Sequence, residues 1–219
     1  MILYIRSILL SRQSRSTMMA WKIIQTLSAD LAPVWEGVTN ESLGESTHPR
    51  RKTSYALSRE AIRQLLLEQG HQVSPGDIKL IGFNKIINFP QYSLSLTHSI
   101  DVGAAVLASQ ANYLAVGIDL ENKDRKVSSA IRERIVNKED ASLTNIELWC
   151  AKEAVFKCLM NSGQFEQTID FMDIVIKEDE WLHPESGLRG RHEFHLEDPY
   201  IINLAYLENT NSSRPIGDQ

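Results

Sequence analysis

The sequence predicts an α+β protein built as two halves of about 100 residues each, and three observations carry that prediction. The chain has 219 residues, which suits one large domain or two small ones. Its hydrophobic and charged fractions, 42% and 23%, are those of a chain that folds rather than one that stays extended. Its hydrophobic period switches along the chain in the order helix, strands, helices, strands, although no repeat is strong enough to prove duplication.

Residues 1–18 read as an extension without fixed structure, 19–110 as an N-terminal half, 111–208 as a C-terminal half and 209–219 as a frayed tail. The first 29 residues carry Arg6, Arg12, Arg15 and Lys22 with no acid, a weak likeness to a transit peptide, and Met18-Met19 offers an alternative start. Trp21 to Leu31, before Pro33, supplies an early strand or short helix, and Thr39 to Pro49 reads as a polar loop. From Arg50 to Gln69 the apolar Tyr55, Ala56, Ile62, Leu65 and Leu66 recur at helical spacing, and Gly70 fits a stop. Ser74-Pro75-Gly76-Asp77 is a turn before an apolar strand, Ile78 to Phe83. Tyr92, Leu94 and Leu96 alternate with Ser93, Ser95 and Thr97, and Val102 to Ala108 and Tyr113 to Leu120 are further runs of strand length. Ala130 to Leu143 and Asn145 to Met160 read as helices; Phe171 to Ile176, Arg191 to Leu196 and Tyr200 to Leu207 read as closing strands.

Composition excludes several classes. A net charge of -5 leaves no overall basic field for nucleic acid. No apolar run approaches the roughly 20 residues needed to cross a bilayer. Cys150 and Cys158 lie eight residues apart in a helical segment, about 12 Å, too far for a disulfide. With no CxxC, neither a zinc site nor an oxidised scaffold is supported, and a reducing cytosol is the expected compartment.

Two short segments carry chemistry. In Val116-Gly117-Ile118-Asp119-Leu120-Glu121, residues two apart on a strand share a face, so Asp119 and Glu121 point together while Ile118 and Leu120 turn toward the core. Paired carboxylates repel unless a cation sits between them, and hard oxygen ligands suit Mg²⁺. A strand ending in two solvated acids gives the same pattern. In Trp149-Cys150-Ala151-Lys152-Glu153-Ala154-Val155-Phe156-Lys157, the residues Trp149, Glu153 and Lys157 fall at i, i+4, i+8 on one helical face. An ordinary Glu-Lys helix pair with Trp149 as core reads equally well from spacing alone.

Together these pieces resemble the signature of the 4′-phosphopantetheinyl transferase superfamily, a strand G-I-D-x-E followed by a helix W-x-x-K-E-x-x-x-K. The likeness extends upstream. Ser95-Leu96-Thr97-His98-Ser99 resembles the family's S-x-S-H-S segment, and Arg50-Arg51 through Tyr55 to Ser58-Arg59 resembles the basic helix of the surfactin-type and enterobactin-type branch. Phe83-Asn84-Lys85 falls where those enzymes carry G-[KR]-P. The departures are Ser58 for Gly, Ser54 for an acid, Thr97 for Ser and Ile86 for Pro. The resemblance covers about residues 48 to 160.

The resemblance implies a fold in which two similar α+β halves pack as a pseudo-dimer in one monomeric chain. It implies an enzyme that moves the 4′-phosphopantetheine arm of coenzyme A to a serine of an apo acyl or peptidyl carrier protein and releases 3′,5′-ADP. Such carriers serve fatty acid, polyketide or nonribosomal peptide synthesis. The metal ligands it implies are Asp119, Glu121 and Glu153 around Mg²⁺, or Mn²⁺; Glu153 doubles as base and Lys157 serves the diphosphate or the leaving phosphate. Arg51, Arg59, Lys85, Thr97 and His98 would bind coenzyme A, with Lys152 in a secondary place and Glu139 near the base. The six basic residues between Lys123 and Lys138 would dock the acidic carrier, with Arg132 and Arg134 the residues to reverse. No nucleic acid or membrane partner is expected. A coenzyme A-binding protein of the same fold without catalysis is the alternative, and a metal phosphodiesterase would need a richer ligand cluster.

Overall fold

The computed structural model describes residues 8–9, 19–82, 84–99, 101–165 and 169–210. They form a mixed α/β structure of two antiparallel sheets, each carrying a long helix. The strands of the first sheet are β1 (Ile8–Leu9), β2 (Met19–Ile24), β5 (Tyr92–Ser99) and β6 (Val102–Ser109), in spatial order β1-β2-β6-β5. Between β2 and β5 come α1 (Ala32–Leu43), α2 (Pro49–Glu68) and a small hairpin of β3 (Leu80–Ile81) and β4 (Lys85–Ile86). His48 caps α2 by accepting the Arg50 N–H, and Pro49 opens the helix with the fixed φ a first turn needs. Its apolar face, Ala56, Leu57, Ala61, Ile62, Leu65 and Leu66, covers Leu94, Ala105 and Leu107 of the sheet. Gly103 lets the two touch: a Cβ there would stand 2.2 Å from the Ser58 nitrogen.

The second sheet runs β7 (Tyr113–Asn122), β11 (Tyr200–Glu208), β10 (Leu188–Glu197), β9 (Glu180–His183) and β8 (Val175–Ile176) in spatial order. Before β8 come α3 (Ser129–Ile135) and α4 (Asn145–Asn161). Thr144 and Glu147 close a reciprocal capping box at the start of α4, satisfying N–H groups that the first turn leaves open. α4 lies on β7 and β11, where a Cβ on Gly117 would meet the Ala154 carbonyl oxygen at 2.0 Å. The opposite faces of the two sheets bury Trp21, Ala104, Val106, Val116, Ile118, Leu120, Ile202 and Leu204 against one another. The layers therefore run helix, sheet, sheet, helix.

Several expectations change. Thr39 to Leu43 continue α1 instead of forming a loop, since Pro at the first turn of α1 starts a helix that buries Trp35 and Thr39. The helix expected over Ala130 to Leu143 stops at Ile135, because the Asp140 carboxylate takes the N–H groups of Asn137 and Ile176 and ties that stretch to β8. Only Leu80–Ile81 of the strand expected over Ile78 to Phe83 pairs, and Phe83 lies outside the described residues. Phe171–Asp173 is a 3₁₀ turn capped by Asp170, leaving Val175–Ile176 as strand. β9 was not expected. Of the segment expected to lack structure, Ile8 and Leu9 pair with Trp21 and Ala20, while residues 1–7, 10–18 and 211–219 lie outside the described residues. Cys150 and Cys158 are both free and buried. No described helix is long and apolar enough to cross a membrane.

Candidate functional site

Strand alternation decides what β7 offers to α4. Ala115, Gly117, Asp119 and Glu121 face the helix, while Val116, Ile118 and Leu120 enter the core between the sheets. The glycine clears space for close approach, and the two acids beyond it reach the helical row Trp149, Glu153, Lys157, Asn161. A cavity of about 590 Å³ opens there, lined by Asp119, Glu121, Glu153 and Lys157 with Ser95, Thr97 and His98 of β5 opposite.

The carboxylates are held unequally. Asp119 Oδ1 accepts from Lys157 Nζ at 2.8 Å and from Thr97 Oγ1 at 3.0 Å, while Oδ2 is buried with no partner among the described residues. Glu121 Oε1 accepts from the Trp149 indole N–H at 2.9 Å and from Arg125, whose guanidinium lies over the Trp149 ring. Glu153 makes no hydrogen bond among the described residues; burial raises its carboxyl pKa, Lys157 opposes the rise, and the charges of Asp119 and Glu121 add to it. Burial works to lower the Lys157 pKa, yet Asp119 and Glu153 carry it above the ordinary lysine value.

The opposite wall carries His98, with Arg59 behind it. His98 is exposed, and its pKa is lowered first by partial desolvation and then by Lys157 and Arg59. Arg59 is buried, with its guanidinium 3.3 Å from the Tyr55 ring centroid and its Nε without a partner among the described residues. The seam between the two sheets is stitched by side chains: Asn161 Nδ2 donates to Leu94 O at 3.1 Å and Val116 O at 2.9 Å, and Ser95 Oγ accepts from the Ile118 N–H.

The expected site residues divide accordingly. Asp119, Glu121, Glu153, Lys157, Thr97 and His98 meet at the cavity, and Arg59 adjoins it through His98. Arg51 on α2 and Lys85 on β4 are exposed and do not line it. Lys152 turns away altogether: its buried ammonium pairs with Asp140 at 3.0 Å and donates to the carbonyls of Phe171 and Ile174, so a helix position one residue from Glu153 faces the opposite side. Glu139 is exposed beside Lys177, 3.6 Å away, outside the cavity. Arg132 donates to Asn145 Oδ1 at 2.6 Å. Arg134 lines a neighbouring apolar groove of about 720 Å³ with Ile131, Phe156 and Met172. Asn161 and Arg125 are additions to the site. Asn161 was signalled by its place four residues beyond Lys157; Arg125 carried no signal apart from the basic segment. Asp173, His183 and Glu185 bring ligand-type atoms within 4.8 Å of one another but share no residue with the cavity.

Three acids that share one cavity, with one of their oxygens buried and unpartnered, fit a hard divalent cation. The hydroxyl of Thr97 and the ring of His98 opposite, with the Arg59 guanidinium adjoining, fit phosphate oxygens. Residues 115–205 match the family model of the 4′-phosphopantetheinyl transferase superfamily, a span that contains Asp119, Glu121, Glu153 and Lys157 and supports a transferase of phosphopantetheine in general. Arg59, Thr97 and His98 precede the matched span. No curated protein matches the chain.

Proposed function

We propose that the protein transfers the 4′-phosphopantetheine arm of coenzyme A to a serine of an apo acyl or peptidyl carrier protein and releases 3′,5′-ADP. The observation that carries this reading is the unpartnered buried Oδ2 of Asp119 in a cavity shared with Glu121, Glu153 and Lys157, opposite Thr97 and His98. Asp119, Glu121 and Glu153 would hold Mg²⁺ or Mn²⁺, which when bound would neutralise the diphosphate and act as Lewis acid. Arg59, Thr97 and His98 bind the nucleotide phosphates; the unused Nε of Arg59 is a donor waiting for an acceptor. Glu153, with its raised pKa, takes the proton of the serine hydroxyl as the serine oxygen bonds to the β-phosphorus. The bond from that phosphorus to the bridging oxygen breaks, and Lys157 neutralises the departing 3′,5′-ADP.

In this reading residues 19–110 and 111–208 are the two halves of a pseudo-dimer, acting as a monomer of the surfactin-type or enterobactin-type branch in the cytoplasm. The paired glycines support it, since Gly103 under α2 and Gly117 under α4 do the same work in each half. The carrier approaches over the exposed Lys126, Arg134 and Lys138, complementary to an acidic partner.

Incubation with coenzyme A, Mg²⁺ and several apo carrier proteins tests the proposal by intact mass. A gain of about 340 Da on a carrier, the mass of the transferred arm, is expected. No gain on any carrier would refute it.

A further inference from the structure

The cavity already contains a cation on one of the proposed metal ligands. Arg125, four residues beyond Glu121, pairs with Glu121 Oε1, and its side chain is 46% exposed while that of Glu121 is 8% exposed. The two partners are therefore not equivalent: Arg125 can swing into solvent, whereas Glu121 stays in the cavity wall. The same Oε1 receives the Trp149 indole N–H at 2.9 Å, so Glu121 keeps an anchor when the guanidinium leaves. Arg125 also stands 5.5 Å from the Trp149 ring centroid, within reach of a cation–π contact.

With the carboxylates, Lys157 and Arg125 ionised and His98 neutral, as its partial desolvation favours, Asp119, Glu121 and Glu153 carry three negative charges and Lys157 and Arg125 two positive ones, leaving one net negative charge. Without Arg125 the cavity would hold two. Affinity for a hard divalent cation rises with the negative charge of its ligand set.

We propose that Arg125 is a built-in counter-cation that competes with the divalent ion for Glu121 and sets the ion concentration at which the site fills, with Trp149 keeping Glu121 in place during the exchange. The inference rests on the metal site of the proposed function. A purely structural Arg125–Glu121 pair makes the opposite prediction, because losing it would loosen Glu121 and weaken ion binding.

Mn²⁺ titration followed by electron paramagnetic resonance of the free ion separates the two, using the wild-type protein, Arg125→Gln, Arg125→Lys and Asp119→Asn, each checked for folding by circular dichroism. The expected result is Kd about tenfold lower in Arg125→Gln, near wild type in Arg125→Lys, and binding lost in Asp119→Asn. Tryptophan emission gives a second reading: Mn²⁺ should shift it in the wild type by drawing the guanidinium off Trp149, and less in Arg125→Gln, where that contact is already gone. Binding that depends on Asp119 but is unchanged or weaker in Arg125→Gln overturns the inference and leaves the metal site standing. No Asp119-dependent binding in any variant overturns both.

Discussion

Lys157 grips Asp119 through one oxygen only: Nζ lies 2.8 Å from Oδ1, while Oδ2 is buried and unpartnered among the described residues. Leaving a carboxylate oxygen buried without a donor costs on the order of 1–3 kcal/mol, and more for a charged group. A cation bound at Oδ2 would supply that partner. The Lys157 contact would orient Asp119 for that role.

Glu153 is the residue on which chemistry should depend most. Replacing it with Gln keeps the shape and, in the proposed function, removes both a ligand and the base. The expected loss in kcat is at least about 10²-fold in the carrier mass assay. Turnover near that of the wild type would remove Glu153 from both roles.

Lys152 should matter for stability and not for coenzyme A. Lys152→Met leaves the buried Asp140 without its cation, although the backbone N–H groups of Asn137 and Ile176 still bond it. Breaking such a pair costs about 3–5 kcal/mol. Urea unfolding should show the loss while KM for coenzyme A stays unchanged; a raised KM at full stability would return Lys152 to the cavity.

Two glycines should respond to alanine in opposite directions. At Gly117 the new methyl collides with the helix backbone, at 2.0 Å from Ala154 O and 2.7 Å from Cys158 N, so overpacking should cost about 1–3 kcal/mol or more and displace α4 from β7. At Gly37, inside α1, a Cβ meets nothing within 4 Å, so Ala should stabilise by roughly 0.5–1 kcal/mol. Thermal melts of both variants measure the contrast.

Acid should destabilise the fold through His192. Burial lowers its pKa from the ordinary 6.5 despite the Lys177 carbonyl, which favours the charged ring. Nε2 donates to Lys177 O at 3.1 Å and Nδ1 lies 3.0 Å from Asn203 Nδ2, so a proton on Nδ1 would face another donor. Well above pH 6.5 neither state is protonated and the full stability is present. As pH falls below that, the unfolded chain takes up the proton first, and stability drops by up to about 1.4 kcal/mol per pH unit until the folded pKa is passed. His192→Gln should flatten the fall of Tm between about pH 7 and pH 5; an unchanged slope would assign the acid sensitivity elsewhere.

Much of the site was legible because its spacing is local. Asp119 and Glu121 share a face by the two-residue period of a strand, and Trp149, Glu153 and Lys157 by the turn of a helix, so residue type and separation suffice to group them. The long helices α2 and α4 and the strands β5, β6, β7 and β11 were legible for the same reason. Short elements were not. Strands of two to four residues such as β1 and β9 carry too little pattern to separate from loop, β3 and β8 occupy only part of the strands expected around them, and the end of α3 depends on Asp140 bonding a strand thirty-six residues away.

What the chain determined by itself was the local grouping of acids on a strand and of acid, cation and indole on a helix, since backbone periodicity projects side chains regardless of what lies opposite. Only the packed structure decided that Lys152 turns to a buried aspartate, that Arg125 comes back onto Glu121, that Asn161 bridges two sheet edges and that Thr97 meets Asp119. Those contacts join residues far apart in sequence, and their partners are chosen by which helix covers which sheet.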